Sequence, residues 1–469
     1  MSHDRMTRRE FLRWSVVGAG SIGIAACMAA PPAALPSAET TGQNDEPDKA
    51  STQLVWWHGW GGPSGLAAMT AIEDAFNTGD HSFQIERVHV DEMNQKILVA
   101  IAGGTPPDIG VCCAQYAQLY SRNAVVPLDD YIDASIVIKR DAFVQGLFES
   151  MQWLGKTYGV PAIEAGPRYG IMYNNALIAE AGLEAANFPT TWDEMYEWHV
   201  ALSKFDSAGN VSTIGFDPRD GTSRNGPATN IPQFWAINYG LDAWDSETLT
   251  FHYDRQEYVE ALATIKRFYD YVGVEQMESL RSSTGTWVNT PSAQFPAGIL
   301  ATLNIGYYGP GELAINAPDK EFGVAWVPVP EARSGIKMQS VGGIPAYIPV
   351  GSKDPDRAFE FIEFLTTDAV QTPVFEATGW LGGRKEWYDP DLPRYAGRDV
   401  LRWYLQSVNE ADEMWACPVI PIQAFVEDQR EKTYAAVIFG EKTPEQAAID
   451  MHTACTEELR NEFPDLVTE

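Results

Sequence analysis

The sequence predicts an α/β fold that starts as a doubly wound sheet, and three observations predict it. Two short strand-like runs, 54–57 and 83–88, are separated by a segment of helical periodicity. A second helical segment ends in a turn of glycines and prolines at 103–107, and an apolar run follows it. The composition, with 45% hydrophobic and 21% charged residues, is that of a globular protein.

The first helix follows the first strand and the glycine-rich loop 58–62. Ser64 is expected to cap this helix, because a serine oxygen can accept a hydrogen bond from a free amide of the first turn. The apolar positions of the helix recur at helical spacing and predict one buried face; they are Leu66, Met69, Ile72 and Phe76.

The turn between the second helix and the third strand is the most informative stretch of the chain. Gly103 and Gly104 are expected to end the helix, because glycine adopts the left-handed conformation without a steric penalty. The prolines at 106 and 107 cannot continue a helix. Asp108 then opens a buried strand at 108–111, and we expect its carboxylate to stabilise the turn or hinge and not to contact a ligand.

Several later elements are predicted from capping and periodicity. Thr191 and Glu194 form a capping-box pattern, and Thr443 with Gln446 forms another. A long helix is expected over 258–272, capped by Asp254, and a further helix opens at residues 354–355 with an aspartate and a proline.

With 469 residues, the chain has room for two or three domains.

The charge of the chain excludes some classes of partner. Its formal net charge of −31 argues against nucleic acid or anionic lipid, since both attract clustered lysine and arginine.

The N-terminal segment has the pattern of an export signal. The run TRREFLR at 7–13 matches the twin-arginine pattern, and the apolar stretch 16–26 is too short for a membrane span. The run IAAC at 24–27 resembles a bacterial lipobox, so residues 1–26 are expected to be a signal peptide and Cys27 the lipidated residue. A plain signal peptide with a chance cysteine is the alternative. Residues 27–53 are expected to be a flexible linker.

Four of the five cysteines follow Cys27. A bond between Cys112 and Cys113 is disfavoured, because neighbouring Cα atoms lie about 3.8 Å apart and disulfides need about 4.4–6.8 Å. Cys417 with Cys455 is the pair that an oxidising compartment favours, although spacing alone does not fix the connectivity.

The order of several motifs resembles that of the extracellular solute-binding proteins, family 1, the sugar-binding components of bacterial ABC importers. These motifs are GTPPD at 104–108, YGVP at 158–161, YNN at 173–175, PTTWDE at 189–194 and FPAGILA at 295–301. Asn175 stands where the family usually has lysine. The resemblance implies a type II periplasmic-binding-protein-like fold, with two α/β lobes and a ligand cleft between them. The expected lobes are 54–164 plus 326–378 and 165–325 plus 379–469, with the strands at 322–330 and 341–349 leading back into the first lobe.

Candidate ligand-binding residues come from the strand ends and from the resemblance. In open α/β sheets, ligands bind beyond the carboxyl ends of the strands. That rule selects His58 and Trp60, and then Cys112, Gln115 and Tyr116. The resemblance adds Glu164, Trp235, Asn304, Tyr307, Tyr308, Gly342, Gly343, Trp380 and Arg384. In the family, the position of Tyr308 often carries a stacking aromatic residue, whereas Cys112 departs from the family pattern.

The function implied by the resemblance is that of a carbohydrate receptor. It would capture a mono- or oligosaccharide by lobe closure and deliver it to an ABC transporter permease. It would act as a lipid-anchored monomer at the outer face of the cytoplasmic membrane. The 15 tryptophans suit this function, since indole faces stack on pyranose rings. The alternatives are a secreted glycoside hydrolase and a receptor for a polyol or sugar phosphate. The sequence carries none of the common hydrolase, zinc or phosphate-loop motifs, so we expect no enzyme activity, cofactor or metal.

Overall fold

Two mixed β-sheets organise the chain. The computed structural model describes residues 52–111, 116–219, 234–284, 288 and 290–466. The N-terminal signal and linker, including Cys27, lie outside the described residues, except for the last residues of the expected linker. The strands are β1 (Thr52–His58), β2 (Phe83–His89), β3 (Ile109–Val111), β4 (Gln152–Trp153), β5 (Lys156–Thr157), β6 (Val160–Pro167), β7 (Ile171–Asn174), β8 (Lys204–Phe205), β9 (Val211–Phe216), β10 (Trp244–Asp245), β11 (Thr250–Phe251), β12 (Leu300–Asn304), β13 (Phe322–Ala325), β14 (Met338–Tyr347) and β15 (Glu413–Ala416).

Helices cover both sheets. They are α1 (Pro63–Asn77), α2 (Met93–Ala102), α3 (Ala117–Ser121), α4 (Asp129–Ala134), α5 (Asn175–Glu180), α6 (Trp192–Leu202), α7 (Phe234–Asn238), α8 (Gln256–Val272), α9 (Val274–Ser283), α10 (Gln294–Ala297), α11 (Gly309–Asn316), α12 (Pro355–Leu365), α13 (Asp368–Thr378), α14 (Asp399–Glu410), α15 (Gln423–Ile438) and α16 (Pro444–Glu462). Among these described helices, none combines the length and the apolar character needed to cross a bilayer.

The first sheet confirms the predicted doubly wound start. Its strand order is β15-β14-β3-β1-β2, and β6 also pairs with β14. Strand β1 pairs in parallel with both β2 and β3, as βαβ connections require. Helix α1 packs against α13, so the segments that precede α1 and follow α13 are close together.

The turn between α2 and β3 is built as its residues predict. Helix α2 ends at Ala102, and Gly104 has a φ of 71°, the left-handed conformation that glycine tolerates. The Asp108 side chain is buried. Its carboxylate accepts hydrogen bonds from the backbone N–H groups of Val55 and Lys353, each at 2.8 Å. Asp108 therefore ties β1 and the loop before α12 to the start of β3, which confirms its expected structural role.

The second sheet has the order β13-β7-β12-β9-β8. The expectation for residues 322–330 was wrong: β13 pairs antiparallel with β7 in this sheet and does not lead into the first. Strand β14 is the one that returns to the first sheet. The chain also crosses between the sheets from β6 to β7. A further crossing follows β15, since α15 and α16 pack on α8.

Strand β15 lies in the first sheet, beside β14, although the resemblance assigns 379–469 to the C-terminal lobe. The lobe boundaries themselves remain a prediction.

The capping predictions are partly confirmed. Thr191 and Glu194 form a complete capping box. Ser64 caps nothing, because α1 already begins at Pro63, whose fixed φ suits a first helical position. Arg255, not Asp254, precedes α8; the Asp254 carboxylate lies 3.4 Å from His452 instead.

The second capping box is half formed. The Thr443 hydroxyl accepts from the backbone N–H of Gln446 at 3.3 Å, whereas the Gln446 side chain donates to Asp450 at 2.7 Å.

The favoured disulfide is not formed, so that prediction was wrong. Cys417 and Cys455 are both buried and are not bonded to each other. Cys417 follows β15 in the first sheet, whereas Cys455 lies within α16. These positions belong to different layers of the fold, which the spacing of the residues does not reveal. Cys112 and Cys113 lie outside the described residues.

Candidate functional site

A cavity of about 340 Å³ lies where segments from both sheets meet. This volume falls within the range of about 300–1,000 Å³ that is usual for small-molecule sites. The loop after β1 and the start of α1 form one side, the end of β6 forms the floor, and α11 with its preceding residue forms the other side. The lining residues are Gly59, Trp60, Gly61, Gly62, Pro63, Ser64, Gly65, Glu164, Arg168, Tyr308, Glu312, Ile315, Asn316 and Trp380.

Two indole rings form the first wall. The rings of Trp60 and Trp380 have their centroids 5.7 Å apart and are tilted by 39°. Gly65 in α1 makes room for them, since a Cβ there would lie 3.3 Å from the Cβ of Trp60 and 3.7 Å from the ring of Trp380. Trp60 is half-buried and Trp380 is buried, so the two indoles present a fixed apolar surface to the cavity.

The facing wall begins with Tyr308, the residue before α11. Its ring and that of the buried Tyr307 lie on the Arg168 guanidinium, whose central carbon is 5.8 Å and 5.7 Å from the two ring centroids. Such contacts between a cation and aromatic rings are attractive. Arg168 is therefore held in place by rings as well as by hydrogen bonds.

The floor of the cavity is a buried ion pair. Arg168 Nη1 donates to Glu164 Oε1 at 2.9 Å, while Nε and Nη2 donate to the carbonyl oxygen of Gly342 at 3.2 Å and 2.9 Å. Burial lowers the pKa of the Arg168 guanidinium, but Glu164 together with Tyr307, Tyr308 and Cys417 outweighs burial and holds that pKa above its ordinary value. The positive charge on the floor is thus permanent and already paired.

Glu312, in the first turn of α11, is the other charged group of the lining. Its side chain is buried, with 7% of the residue exposed. Within the part of the chain that the structure describes, no hydrogen bond or ion pair reaches its carboxylate. Burial, and then the negative charge of Glu164, raise the pKa of Glu312 to about 6. A buried, unpaired carboxylate costs stability, and such groups concentrate at functional sites.

Glu312→Gln is expected to stabilise the unliganded protein at neutral pH. Below the ordinary pKa of 4.5, the carboxyl is protonated in both the folded and the unfolded chain. As the pH rises through the folded-state pKa of about 6, the folded chain must bury a charge that the unfolded chain exposes to water. The difference between the two pKa values corresponds to about 2 kcal/mol, which glutamine would recover.

Urea unfolding of both proteins on either side of this pH window measures the effect. The gain should be present at neutral pH and absent in acid. Glu376→Gln, which changes an exposed carboxylate at the end of α13, is the control and should have little effect at either pH. Equal stability of the wild-type protein and Glu312→Gln at neutral pH would contradict the prediction.

Four of the predicted site residues line the cavity: Trp60, Glu164, Tyr308 and Trp380. Three more lie directly behind it. Gly342 supplies the carbonyl that holds Arg168, and Tyr307 is buried beside the same guanidinium. The Asn304 side chain accepts from the N–H of Gly170 at 3.4 Å, in the connection between the two sheets.

The remaining predicted residues either do not line the cavity or lie outside the described part of the chain. His58 is buried in β1, and Arg87 lies 3.3 Å from its Nε2. Burial, followed by the charges of Arg87 and His89, lowers the pKa of His58 to about 3, so its ring is neutral. Trp235 lies in the hydrophobic core and donates its ring N–H to the carbonyl of Pro218 at 2.8 Å.

Tyr116 is a core residue beside Tyr120, with ring centroids 5.5 Å apart. Gly343 pairs with Ala165 within the first sheet. Arg384 forms an ion pair with Glu386 at 2.6 Å. Cys112 and Gln115 lie outside the described residues.

The predicted ligand-binding residues did not include two charged residues that line the cavity, Arg168 and Glu312. Arg168 immediately follows β6, so the rule of strand ends would have selected it if the full length of that strand had been recognised. The signal for Glu312 was the proline at position 310, which is typical of a helix start and places the glutamate in the first turn. In the described part of the chain, no group of three or more acidic, histidine or cysteine side chains is placed to hold a metal.

The chain is similar to known proteins in both sequence and fold. The family model of the bacterial extracellular solute-binding proteins matches residues 60–372. The chain is 24% identical to the diacetylchitobiose-binding protein DasA of Streptomyces coelicolor, over 91% of this chain and 95% of that protein. It is 22% identical to the sn-glycerol-3-phosphate-binding periplasmic protein UgpB of Agrobacterium fabrum, over 71% of this chain and 74% of that protein. Its structure is similar to that of CpMnBP1 with mannobiose bound, with a TM-score of 0.76 and 20% identity over 86% of this chain and 100% of that one.

The fold is that of a two-lobed α/β protein, and the predicted type II periplasmic-binding-protein-like fold is confirmed. The chain belongs to the family of bacterial extracellular solute-binding proteins. This family consists of binding proteins that act outside the cytoplasm.

Proposed function

We propose that this protein is an extracytoplasmic receptor that binds a carbohydrate in the cavity and delivers it to an ABC transporter permease. The observation that carries the proposal is the pairing of two indoles and a phenol ring with a few buried polar groups in one small cavity. Aromatic faces suit the C–H faces of pyranose rings, and carboxylate or amide groups suit hydroxyls.

Capture by closure follows from the position of the cavity. Trp60 and Trp380 belong to segments beside the first sheet, whereas Tyr308 and Glu312 follow β12 of the second. A ligand that contacts both walls binds the closed form more tightly than the open one and shifts the population towards it. Micromolar affinity corresponds to about −8 kcal/mol, which a few stacked rings and hydrogen bonds can supply.

The relatives support a sugar or a sugar-like solute. DasA is named for diacetylchitobiose, and the structure of CpMnBP1 holds mannobiose. UgpB is named for sn-glycerol-3-phosphate, but a phosphate is disfavoured in this cavity. Its described lining has one guanidinium, which Glu164 already neutralises, and a second carboxylate that would repel an anion.

A glycoside hydrolase is the second candidate, because Glu164 and Glu312 bring two carboxylates to one cavity and the pKa of Glu312 is raised to about 6. We propose binding without cleavage, since the family consists of binding proteins and Arg168 occupies one oxygen of Glu164. Incubation with oligosaccharides tests this alternative. Release of new reducing ends would favour the hydrolase, and full recovery of the sugar would favour the receptor.

Export and anchoring complete the proposal. The twin-arginine run at 7–13 would direct the folded protein across the membrane, and Cys27 would carry the lipid that holds it at the outer face of the cytoplasmic membrane as a monomer. Membrane fractionation tests the anchor, because Cys27→Ser should move the protein to the soluble fraction.

Calorimetry with a panel of mono- and oligosaccharides tests the receptor function, and Tyr308→Ala localises the site. This variant is expected to bind the best sugar of the panel about tenfold more weakly, since one aromatic contact of about 1–1.5 kcal/mol is lost. Tyr271→Ala, which removes an exposed tyrosine ring at the end of α8, is the control and should bind normally. Unchanged affinity of Tyr308→Ala would remove Tyr308 from the site, and no binding by the wild-type protein would refute the receptor function.

A further inference from the structure

The Glu312 carboxylate lacks a partner in a cavity that otherwise pairs its charged groups. Glu312 is more than nine-tenths buried and lines the cavity, yet no described residue donates a hydrogen bond to its side chain. The backbone groups of Glu312 are themselves paired, since its N–H donates to the carbonyl of Tyr308 at 3.3 Å and its carbonyl accepts from the side chain of Asn316 at 2.9 Å. A buried carboxylate in this state requires a donor from outside the protein.

The charges of the described lining leave an excess of one negative charge. Arg168 is the cation of the lining, and its N–H groups are directed to Glu164 and to the carbonyl of Gly342. Glu164 is therefore compensated, whereas Glu312 is not. The nearby negative charge of Glu164 makes it still harder for Glu312 to carry its own charge in the empty cavity.

We propose that the cavity selects a carbohydrate that carries a protonated amine, an amino sugar with a free ammonium group. This inference rests on the proposed function and specifies its substrate class. The ammonium would lie against Glu312 and donate charge-assisted hydrogen bonds, which are stronger than those of a neutral hydroxyl. It would also balance the excess charge of the cavity as the lobes close and exclude water.

Two further observations agree with a cationic ligand. The indoles of Trp60 and Trp380 form a wall of the same cavity, and tryptophan faces attract ammonium groups within about 6 Å. The chain as a whole has a formal net charge of −31, and a field of this sign raises the rate at which cations reach the site. A neutral sugar can stack on the indoles, but it gains neither the attraction between a cation and an aromatic ring nor the faster association.

Isothermal titration calorimetry with matched sugars tests the inference. Each probe set has one skeleton in three forms: the parent hydroxyl sugar, the free amine at carbon 2, and the N-acetylated amine. Glucose, galactose and mannose skeletons are used as single units, and β-1,4-linked glucose oligomers of two to four units are added. Titrations are run at a pH at which the free amine is protonated. The wild-type protein is expected to bind one amine form at least about tenfold more tightly than its hydroxyl and N-acetyl forms.

Two variants separate the role of the carboxylate from that of the fold. Glu312→Gln keeps the shape of the side chain but removes its charge, and it should bring the ratio of amine to hydroxyl affinity close to one. Glu376→Gln removes an exposed carboxylate that does not line the cavity and should leave all affinities unchanged. Thermal melts of each variant check that the fold is intact.

The outcomes distinguish the two proposals. If a hydroxyl or N-acetyl form binds as tightly as its amine form, the inference is overturned while the receptor function stands. A preference for the amine that survives in Glu312→Gln also overturns it, because another group would then hold the ammonium. If no sugar of any form binds, the proposed function falls and the inference falls with it.

Discussion

Trp60→Ala is expected to lower the affinity for the bound carbohydrate by about 30-fold or more. Trp60 faces Trp380 across a centroid distance of 5.7 Å and forms the exposed half of the aromatic wall. Truncation of a central tryptophan in a binding site typically costs about 2 kcal/mol or more, and every 1.4 kcal/mol is about a factor of ten in affinity. The indole stands on a loop after β1 and is only half-buried, so its loss should affect binding far more than folding.

Calorimetry with the best sugar of the panel measures this change, and chemical unfolding checks the fold. Trp326→Ala is the matched control, because Trp326 is also half-buried and also packs against one indole, that of Trp403 at 5.1 Å, but lies outside the cavity lining. The control should bind normally. Loss of affinity in both variants to the same degree would show that general destabilisation, and not stacking, is responsible.

The first half of the fold was predictable because its signals are local. Glycine and proline at the end of α2 are unambiguous breakers, and the parallel strands of a βαβ unit follow from the spacing of the apolar runs. The rule of strand ends then located Trp60, since β1 lies between two parallel neighbours and its carboxyl end opens onto the cavity. These predictions need no knowledge of distant residues.

The same rule does not tell which side chains at a strand end point outward. His58 is the last residue of β1, two positions after the buried Trp56, and successive side chains of a strand alternate between its faces. His58 therefore faces the covered side of the sheet, with its ring centroid 5.5 Å from that of Trp56. Trp60 lies beyond the strand and escapes this constraint.

Long-range pairing accounts for the other differences. The length of β6 is hidden in the sequence because prolines stand at its second and last positions and a glycine precedes the last. Its pairing with β14, more than 170 residues later, keeps the strand extended to Pro167 and places Arg168 at the cavity floor. The local sequence of β6 therefore does not reveal its pairing with β14.

Arg168→Met is expected to destabilise the protein by about 3–5 kcal/mol. The variant would leave the Glu164 carboxylate buried, with 9% of its side chain exposed, and without its partner. It would also remove both donors from the carbonyl of Gly342. Breaking a buried ion pair by removing one partner costs this much because the remaining charge has neither water nor a counter-ion. Urea unfolding at neutral pH measures the loss.

Lys432→Met is the matched control for the loss of an ion pair between residues four positions apart. The Lys432 side chain is 63% exposed in its pair with Asp428, and exposed pairs contribute at most about 1 kcal/mol. The free energy of unfolding of Lys432→Met should therefore stay near that of the wild-type protein. A loss in Arg168→Met no larger than that of the control would mean that the ion pair at the cavity floor is solvated and contributes little.

The double variant Glu164→Met with Arg168→Met separates stability from function. Replacing both partners of a buried pair by apolar residues of similar volume is often neutral or stabilising, so most of the loss in Arg168→Met should be recovered. Sugar binding should not recover, because the cavity floor would have lost its acceptor, the second oxygen of Glu164. A double variant that is stable and still binds sugar with wild-type affinity would show that the pair serves the fold alone. A stable variant that binds no sugar would show that the chain retains a costly buried charge pair because its ligand uses it.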